Sequence, residues 1–314
     1  MNNINLISQR YLNGKNDKLT EQKAFLLIKN DLKKVYEQGG ISKLIEVLTE
    51  ISKNCILNVK DAEVFAKGFF TIIAGNGDKI EEEVALFFEK LVGDFPKSVK
   101  LVEMLADVYS EIKNPIYEQK LANLTKNNPL LINANYLYIQ KLFYQLSDFD
   151  TNDSASYLKQ IEKIKQVYIQ FPLLNFAKRY AEGLKELSYI QNEADALETI
   201  NAINELLIFW KDASFEGCYF DALCRFTRKQ DKEGCAKTIE KLESFWNTCI
   251  RKDSLATYLA YSLANYSLCV QGREKEIVLQ KIEALAPFWN PATEMANKLA
   301  NGTYLYAHKP QKAK

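Results

Sequence analysis

The segment from Val102 to Pro129, VEMLADVYSEIKNPIYEQKLANLTKNNP, decides the fold class. Its first half holds four apolar residues at spacing 0, 3, 4 and 7, which places them on one stripe of an α-helix. They are Val102, Leu105, Ala106 and Tyr109. Its second half has another helical apolar period and ends at Pro129, which cannot continue a helix. The segment therefore predicts a hairpin of two short amphipathic helices.

The same stripe recurs along the chain, usually with a small residue in the third place. The other copies are Ala62-Phe65-Ala66-Phe69, Asn135-Tyr138-Ile139-Leu142, Ala177-Tyr180-Ala181-Leu184, Tyr219-Ala222-Leu223-Phe226, Ala256-Leu259-Ala260-Leu263 and Ala292-Met295-Ala296-Leu299. We call the third-place residues (66, 106, 139, 181, 223, 260 and 296) the anchor residues. A second amphipathic helix is predicted between successive copies, and strand-like alternation is almost absent. The predicted class is all-α.

This pattern resembles the tetratricopeptide repeat (TPR), a helix–turn–helix unit of about 34 residues with a small residue in its first helix and a proline closing its second. Ala106 and Pro129 stand at nearly the family spacing, and the resemblance covers residues 60–300. It implies a right-handed α-solenoid of antiparallel helical hairpins. Several units exceed the family length and Trp replaces proline in the last three, so HEAT-like repeats of about 40 residues are the alternative.

The chain ends are predicted to differ from the repeats. We expect an N-terminal arm over residues 1–18, a helical repeat domain over 19–302 and a basic C-terminal tail over 303–314. A further hairpin fits residues 20–38 and 41–53, joined at Gly39-Gly40.

Composition argues against several kinds of partner. Lys and Arg total 41 against 40 Asp and Glu, so the chain has no overall basic character for a nucleic acid. No apolar run approaches the roughly 18–20 residues that span a bilayer. The start of the chain does not have the pattern of a secretory signal, and we predict a cytoplasmic protein with buried free thiols. The cysteines are Cys55, Cys218, Cys224, Cys235, Cys249 and Cys269.

Residue sets for catalysis or metal binding are missing from the sequence. His308 is the only histidine and lies in the basic tail, which argues against nucleophile–histidine pairs and histidine metal sites. The acidic run from Asp148 to Asp153 resembles the opening of a calcium loop but has Asp153 and Lys159 where that loop needs Gly and Glu. We predict a polar loop in which Asp153 or Ser154 caps the next helix. No cofactor or metal is predicted.

Three Phe-Trp pairs end predicted second helices, at residues 209–210, 245–246 and 288–289. Their regular placement favours packing between hairpins over stacking on a ligand.

The expected binding surface is the concave groove of the solenoid. Positions −6, −3, +1 and +4 from each anchor residue form a neighbouring stripe that we expect to face this groove. Three copies supply the candidate binding residues Asn133, Tyr136, Gln140, Asn175, Lys178, Glu182, Lys185, Ser254, Thr257 and Tyr261. Polar side chains mixed with tyrosines suit a peptide. The predicted function is a non-enzymatic scaffold that binds a protein or peptide. The alternatives are a regulator that responds to a peptide or small molecule, and an α-helical enzyme with an acidic pocket.

Overall fold

A computed structural model describes residues 3–17, 19–56, 58–74, 80, 82–128, 131–149 and 153–302. Within these ranges the regular structure is entirely helical, so the predicted all-α class is confirmed. The helices are α1 (Asn3–Asn16), α2 (Glu21–Cys55), α3 (Val59–Ala74), α4 (Glu82–Asp94), α5 (Val99–Glu111), α6 (Pro115–Asn127), α7 (Ile132–Tyr144), α8 (Ser154–Gln170), α9 (Leu174–Ile190), α10 (Glu193–Trp210), α11 (Ala213–Phe226), α12 (Lys232–Ser244), α13 (Lys252–Ser267), α14 (Gly272–Glu283) and α15 (Ala292–Ala300), with a 3₁₀ helix at Gln145–Asp148.

The seven copies of the apolar stripe all fall on helices, namely the odd-numbered helices from α3 to α15. We call these the first helices, and the even-numbered helices between them the second helices. The anchor residues are buried, and Ala66, Ala106, Ala181 and Ala260 have no exposed surface. A small side chain at this place lets a neighbouring helix approach closely, as the sequence pattern predicts.

The chain divides into two compact units, Met1–Lys141 and Leu142–Lys314. We call them the N-terminal unit and the C-terminal unit. This division does not coincide with the predicted boundaries at residues 18 and 302. The predicted tail over 303–314, with His308, lies outside the described residues, as does Pro129.

The N-terminal unit begins with a helix where a loose arm was predicted. Tyr11 of α1 is fully buried, its ring centroid lies 4.9 Å from that of Phe65, and its hydroxyl donates to Asp61 Oδ1 at 2.6 Å. Lys15 Nζ lies 3.3 Å from the same carboxylate oxygen. The prediction of an arm over 1–18 is therefore wrong. Ile4, Ile7, Ser8 and Tyr11 stand at the 0, 3, 4 and 7 spacing of the other copies, and the last three are buried.

Helix α2 is interrupted at Gly40, where the backbone adopts φ 69° and ψ −163°. This positive φ is unfavourable for residues with a Cβ atom, so glycine is suited to the position. The break lies where the sequence predicts the junction of two helices.

Close packing of α2 against α3 in this unit depends on Gly68. A Cβ atom at this position would lie 2.0 Å from Phe25 Cζ of α2, so the Phe25 ring rests directly on the α3 backbone. The same ring packs edge-on against Phe65 at 5.3 Å.

In the C-terminal unit, side chains tie each first helix to the next. The buried carboxylate of Glu216 in α11 accepts hydrogen bonds from the backbone N–H groups of Ile250 and Arg251 at 2.8 and 3.1 Å, just before α13. At the opposite end, Lys229 Nζ donates to the carbonyls of Ser188 and Gln191 at the end of α9. These contacts satisfy backbone groups that helix ends leave without partners.

Two local predictions are confirmed here. Asp153 caps α8, because its side chain accepts a hydrogen bond from the Ser156 N–H at 3.0 Å. Trp246 contacts Phe288 at 5.0 Å and Trp289 contacts Tyr261 at 5.5 Å, so the last two Phe-Trp pairs make aromatic contacts, although Phe288 is 41% exposed. Phe209 of the first pair is instead 73% exposed.

All six cysteines are free thiols. Five are buried or half-buried as predicted, whereas Cys269 is exposed.

Candidate functional site

The N-terminal unit contains a cavity of about 870 Å³ between α2, α3 and α5, which we call the N-terminal groove. Pockets that bind ligands commonly have volumes of about 300–1,000 Å³. Its apolar lining comes from Phe25, Leu26, Val64, Phe70 and Met104. Its charged lining comes from Glu21, Lys29, Lys60, Glu63, Lys67, Lys100 and Asp107.

The stripe beside the anchor residues lines this groove. The −6, −3, +1 and +4 positions of α3, counted from Ala66, are Lys60, Glu63, Lys67 and Phe70, and each of them lines the cavity. In α5 the −6 and +1 positions are Lys100 and Asp107, which also line it. The candidate residues named from the sequence come from later copies. The same offsets, applied to the first two copies, identify these side chains.

We call the apolar lining residues of the groove its apolar floor. They include both tightly packed and solvent-accessible side chains. Phe25 is almost fully buried, because its ring is held between Gly68 and Phe65. Leu26, the next residue of α2, is 60% exposed and lines the groove. An occupant would therefore meet a fixed aromatic base beside an apolar side chain that is still open to water.

Where α2, α3 and α5 begin, the carboxylates of the groove are balanced by ion pairs. Glu63 Oε1 accepts a hydrogen bond from Ser98 Oγ at 2.8 Å, and Glu63 Oε2 lies 3.3 Å from Lys100 Nζ. Glu21 Oε1 lies 2.7 Å from Lys15 Nζ, and this hydrogen bond lowers the pKa of the Glu21 carboxyl. The carboxylates at this end of the groove are therefore already paired within the protein.

Further along the helices the charges of the groove are separated. In the described part of the chain, Lys29 and Lys67 make no salt bridge, and none joins Lys67 to Asp107. Asp107 lies open to solvent in the groove, but surrounding protein raises the pKa of its carboxyl, and Glu103 and Glu111 raise it further. The pKa shift reflects first the desolvation of the carboxylate by the surrounding protein and second its two acidic neighbours.

The three candidates of α7 lie outside the lining of the groove. Asn133 is exposed and donates to Glu103 Oε1 of α5 at 3.2 Å, which links two first helices. Tyr136 and Gln140 are half-buried.

Candidates on α9 take part in ion pairs within the C-terminal unit. Lys178 Nζ lies 3.2 Å from Asp212 Oδ1, and Glu182 Oε2 lies 2.6 Å from Arg179 Nη1. Lys185 Nζ lies 2.9 Å from Glu186. Asn175, the fourth candidate, is exposed.

Lys185 also belongs to a charged cluster with α11. Its Nζ lies 3.8 Å from Asp221 Oδ2, and Arg225 binds the same buried carboxylate through two hydrogen bonds of 2.5 and 3.0 Å. The Arg225 guanidinium also lies 3.4 Å from the centroid of the Tyr189 ring. The predicted stripe residue Lys185 therefore already has charged partners within the unit.

The α13 candidates are all half-buried. Thr257 Oγ1 donates to the Asp253 carbonyl at 2.9 Å, and the Tyr261 ring packs against Trp289. Ser254 lies near the start of the helix.

Two other kinds of site are not found among the described residues. No group of three or more His, Cys, Asp or Glu side chains there is arranged to hold a metal ion. None of the described helices combines the length and the apolar character that crossing a bilayer requires. Comparison of the chain with known protein families, with curated proteins and with solved structures finds no significant match.

Proposed function

We propose that this protein is a non-enzymatic scaffold that binds a peptide segment of another protein in the N-terminal groove. The observation that carries the proposal is an apolar floor open to solvent, bordered by Lys29, Lys67 and Asp107 without ion pairs to one another. Apolar side chains of a peptide would be buried on the floor, and its polar groups would meet the charged rim.

The architecture that we propose is a TPR-like stack of antiparallel hairpins, right-handed as the resemblance implies. Regular alternation of first and second helices supports this, as do the polar contacts between consecutive first helices. A cytoplasmic location is proposed with it, since all six thiols are free.

A selection with a random 12-residue peptide library displayed on phage would test the proposed function. The wild-type chain would be compared with Leu26→Ser, which removes an exposed apolar side chain from the groove. Leu86→Ser is the matched control, because Leu86 is 59% exposed on α4 and does not line the groove.

We expect the wild type and Leu86→Ser to enrich the same peptides. Synthetic copies of these peptides should bind Leu26→Ser about fivefold more weakly by fluorescence anisotropy, since about 1 kcal/mol of apolar burial is lost. Equal binding by Leu26→Ser, or no enrichment on the wild type, would exclude the groove as a peptide site.

A further inference from the structure

The unpaired charges of the N-terminal groove are arranged on different helices according to sign. Where the three helices begin, Glu21 and Glu63 are neutralised by Lys15 and Lys100. Those groups have little charge left to offer an occupant. The charges that remain without a salt bridge within the described ranges are Lys60 at the start of α3 and the groups in the later turns of α2, α3 and α5.

The wall formed by α2 and α3 is basic in these turns. Lys29 is half-buried on α2, Lys67 is exposed on α3, and both line the cavity. Within the described ranges neither ammonium group has a carboxylate partner inside 4.0 Å. A carboxylate of an occupant placed between them would gain two favourable interactions without breaking a salt bridge of the protein.

The wall formed by α5 is acidic. Glu103, Asp107 and Glu111 follow each other at intervals of four residues, so they lie on one face of the helix. Asp107 lines the groove itself, and the other two carboxyl groups lie close enough to disfavour its charge. A cation of an occupant would relieve this repulsion among like charges.

We infer that the N-terminal groove selects a peptide segment with two differently charged flanks. A large apolar side chain would be seated on Phe25, Leu26 and Met104, a carboxylate would lie toward Lys29 and Lys67, and a lysine or arginine would lie toward Asp107. This inference rests on the proposed function and adds the chemistry and the orientation of the partner.

Charge-reversal variants test the inference with the same phage library. In Lys29→Glu with Lys67→Glu, the selected peptides should have basic residues in place of acidic ones on one flank and an unchanged basic residue on the other. In Asp107→Lys only the second flank should change, from basic to acidic. Wild-type peptides should bind each variant about tenfold more weakly, because like charges then face each other.

The matched controls reverse equal numbers of charges outside the groove. Lys33→Glu with Lys90→Glu changes two exposed lysines, and Asp94→Lys changes an exposed aspartate at the end of α4. Both controls should select the wild-type peptides and bind them with unchanged affinity.

The outcomes separate the inference from the proposed function. Peptides that depend on Leu26 but have no charge preference, or that respond equally to the control variants, would overturn the inference and leave peptide binding in place. A wild-type selection without enriched peptides would overturn both. A swap of preference on one flank alone in each variant is the expected result.

Discussion

The first helices of the two units have the same stripe of positions, but the surroundings of this stripe differ between the units. In the N-terminal unit, Lys67 and Asp107 at the +1 position line an open groove and are not paired with each other. In the C-terminal unit, Glu182 at the same position forms an ion pair with Arg179, and Lys185 four residues beyond the anchor residue lies beside Glu186 and Asp221. The same positions relative to the anchor residue thus line a groove in one unit and form a charged cluster in the other.

The difference comes from the neighbouring side chains. In the N-terminal unit, Phe25 and Gly68 bring α2 and α3 together, and Leu26 and Met104 contribute apolar surface that offers no partner to a lysine. In the C-terminal unit, Asp221 of α11 is a charged partner for both Lys185 of α9 and Arg225. A surface of helices binds other molecules only where its polar groups are not already satisfied by one another.

The largest expected effect concerns the floor of the groove. Gly68→Ala places a Cβ atom 2.0 Å from the Phe25 ring, so the ring must move away from Phe65. We expect the N-terminal unit to lose about 3 kcal/mol of unfolding free energy, at the upper end of the usual cost of overpacking. Urea-dependent hydrogen exchange read by mass spectrometry would measure each unit separately.

The control for this variant is Gly217→Ala in α11, where an added Cβ atom meets nothing within 4 Å. It should stabilise the C-terminal unit by about 0.5–1 kcal/mol, because alanine favours a helix over glycine. If Gly68→Ala stabilises its unit in the same way, the close approach of α2 and α3 is incorrect.

A second comparison concerns the contacts between consecutive first helices. Glu216→Ala leaves the N–H groups of Ile250 and Arg251 without their buried acceptor, and we expect a loss of about 2 kcal/mol. Glu103→Ala removes an exposed contact to Asn133 and also relieves the repulsion of Asp107, so it should cost about 0.5 kcal/mol or less. Chemical denaturation of both variants would measure the difference, and equal costs would contradict it.

The smallest effect is expected from the charged cluster. Arg225→Ala removes the two hydrogen bonds to Asp221, and we expect a loss of about 1 kcal/mol at pH 7 because Lys185 remains nearby. Lys100→Ala breaks an exposed pair with Glu63 and should cost less than about 0.5 kcal/mol. Thermal unfolding of the two variants at pH 7 would measure this difference.

The loss of unfolding free energy in Arg225→Ala should depend on pH, and the direction of this dependence can be tested. Burial raises the pKa of Asp221 to about 6. We expect loss of Arg225 to raise this pKa further, because the charged carboxylate then loses two hydrogen bonds from a cation. A carboxyl whose pKa is higher in the folded state favours folding when it is protonated. The loss of unfolding free energy in Arg225→Ala should therefore be greatest above the folded-state pKa of Asp221. It should become smaller as the pH falls toward 4. A deficit that grows on acidification would contradict this account of the cluster.

The sequence predicted the helical class and the placement of the seven copies, because apolar spacing alone decides which side of a helix is buried. It also predicted the break at Gly39-Gly40 and a cap at Asp153 or Ser154, of which the structure has Asp153. The prediction for residues 1–18 was wrong, although Ile7 and Tyr11 stand at helical spacing and are buried. The buried hydrogen bond from Tyr11 to Asp61 joins residues 50 positions apart, which a local pattern does not show.

The offsets from the anchor residues were determined by sequence alone, since a helical period fixes which residues share a stripe. Which copies of that stripe line a groove was decided by tertiary structure. Cavity and ion pair both depend on side chains from separate helices, such as Phe25 against Gly68 or Lys185 against Asp221. The distances between these side chains depend on tertiary packing, which cannot be derived from the spacing of residues along one helix.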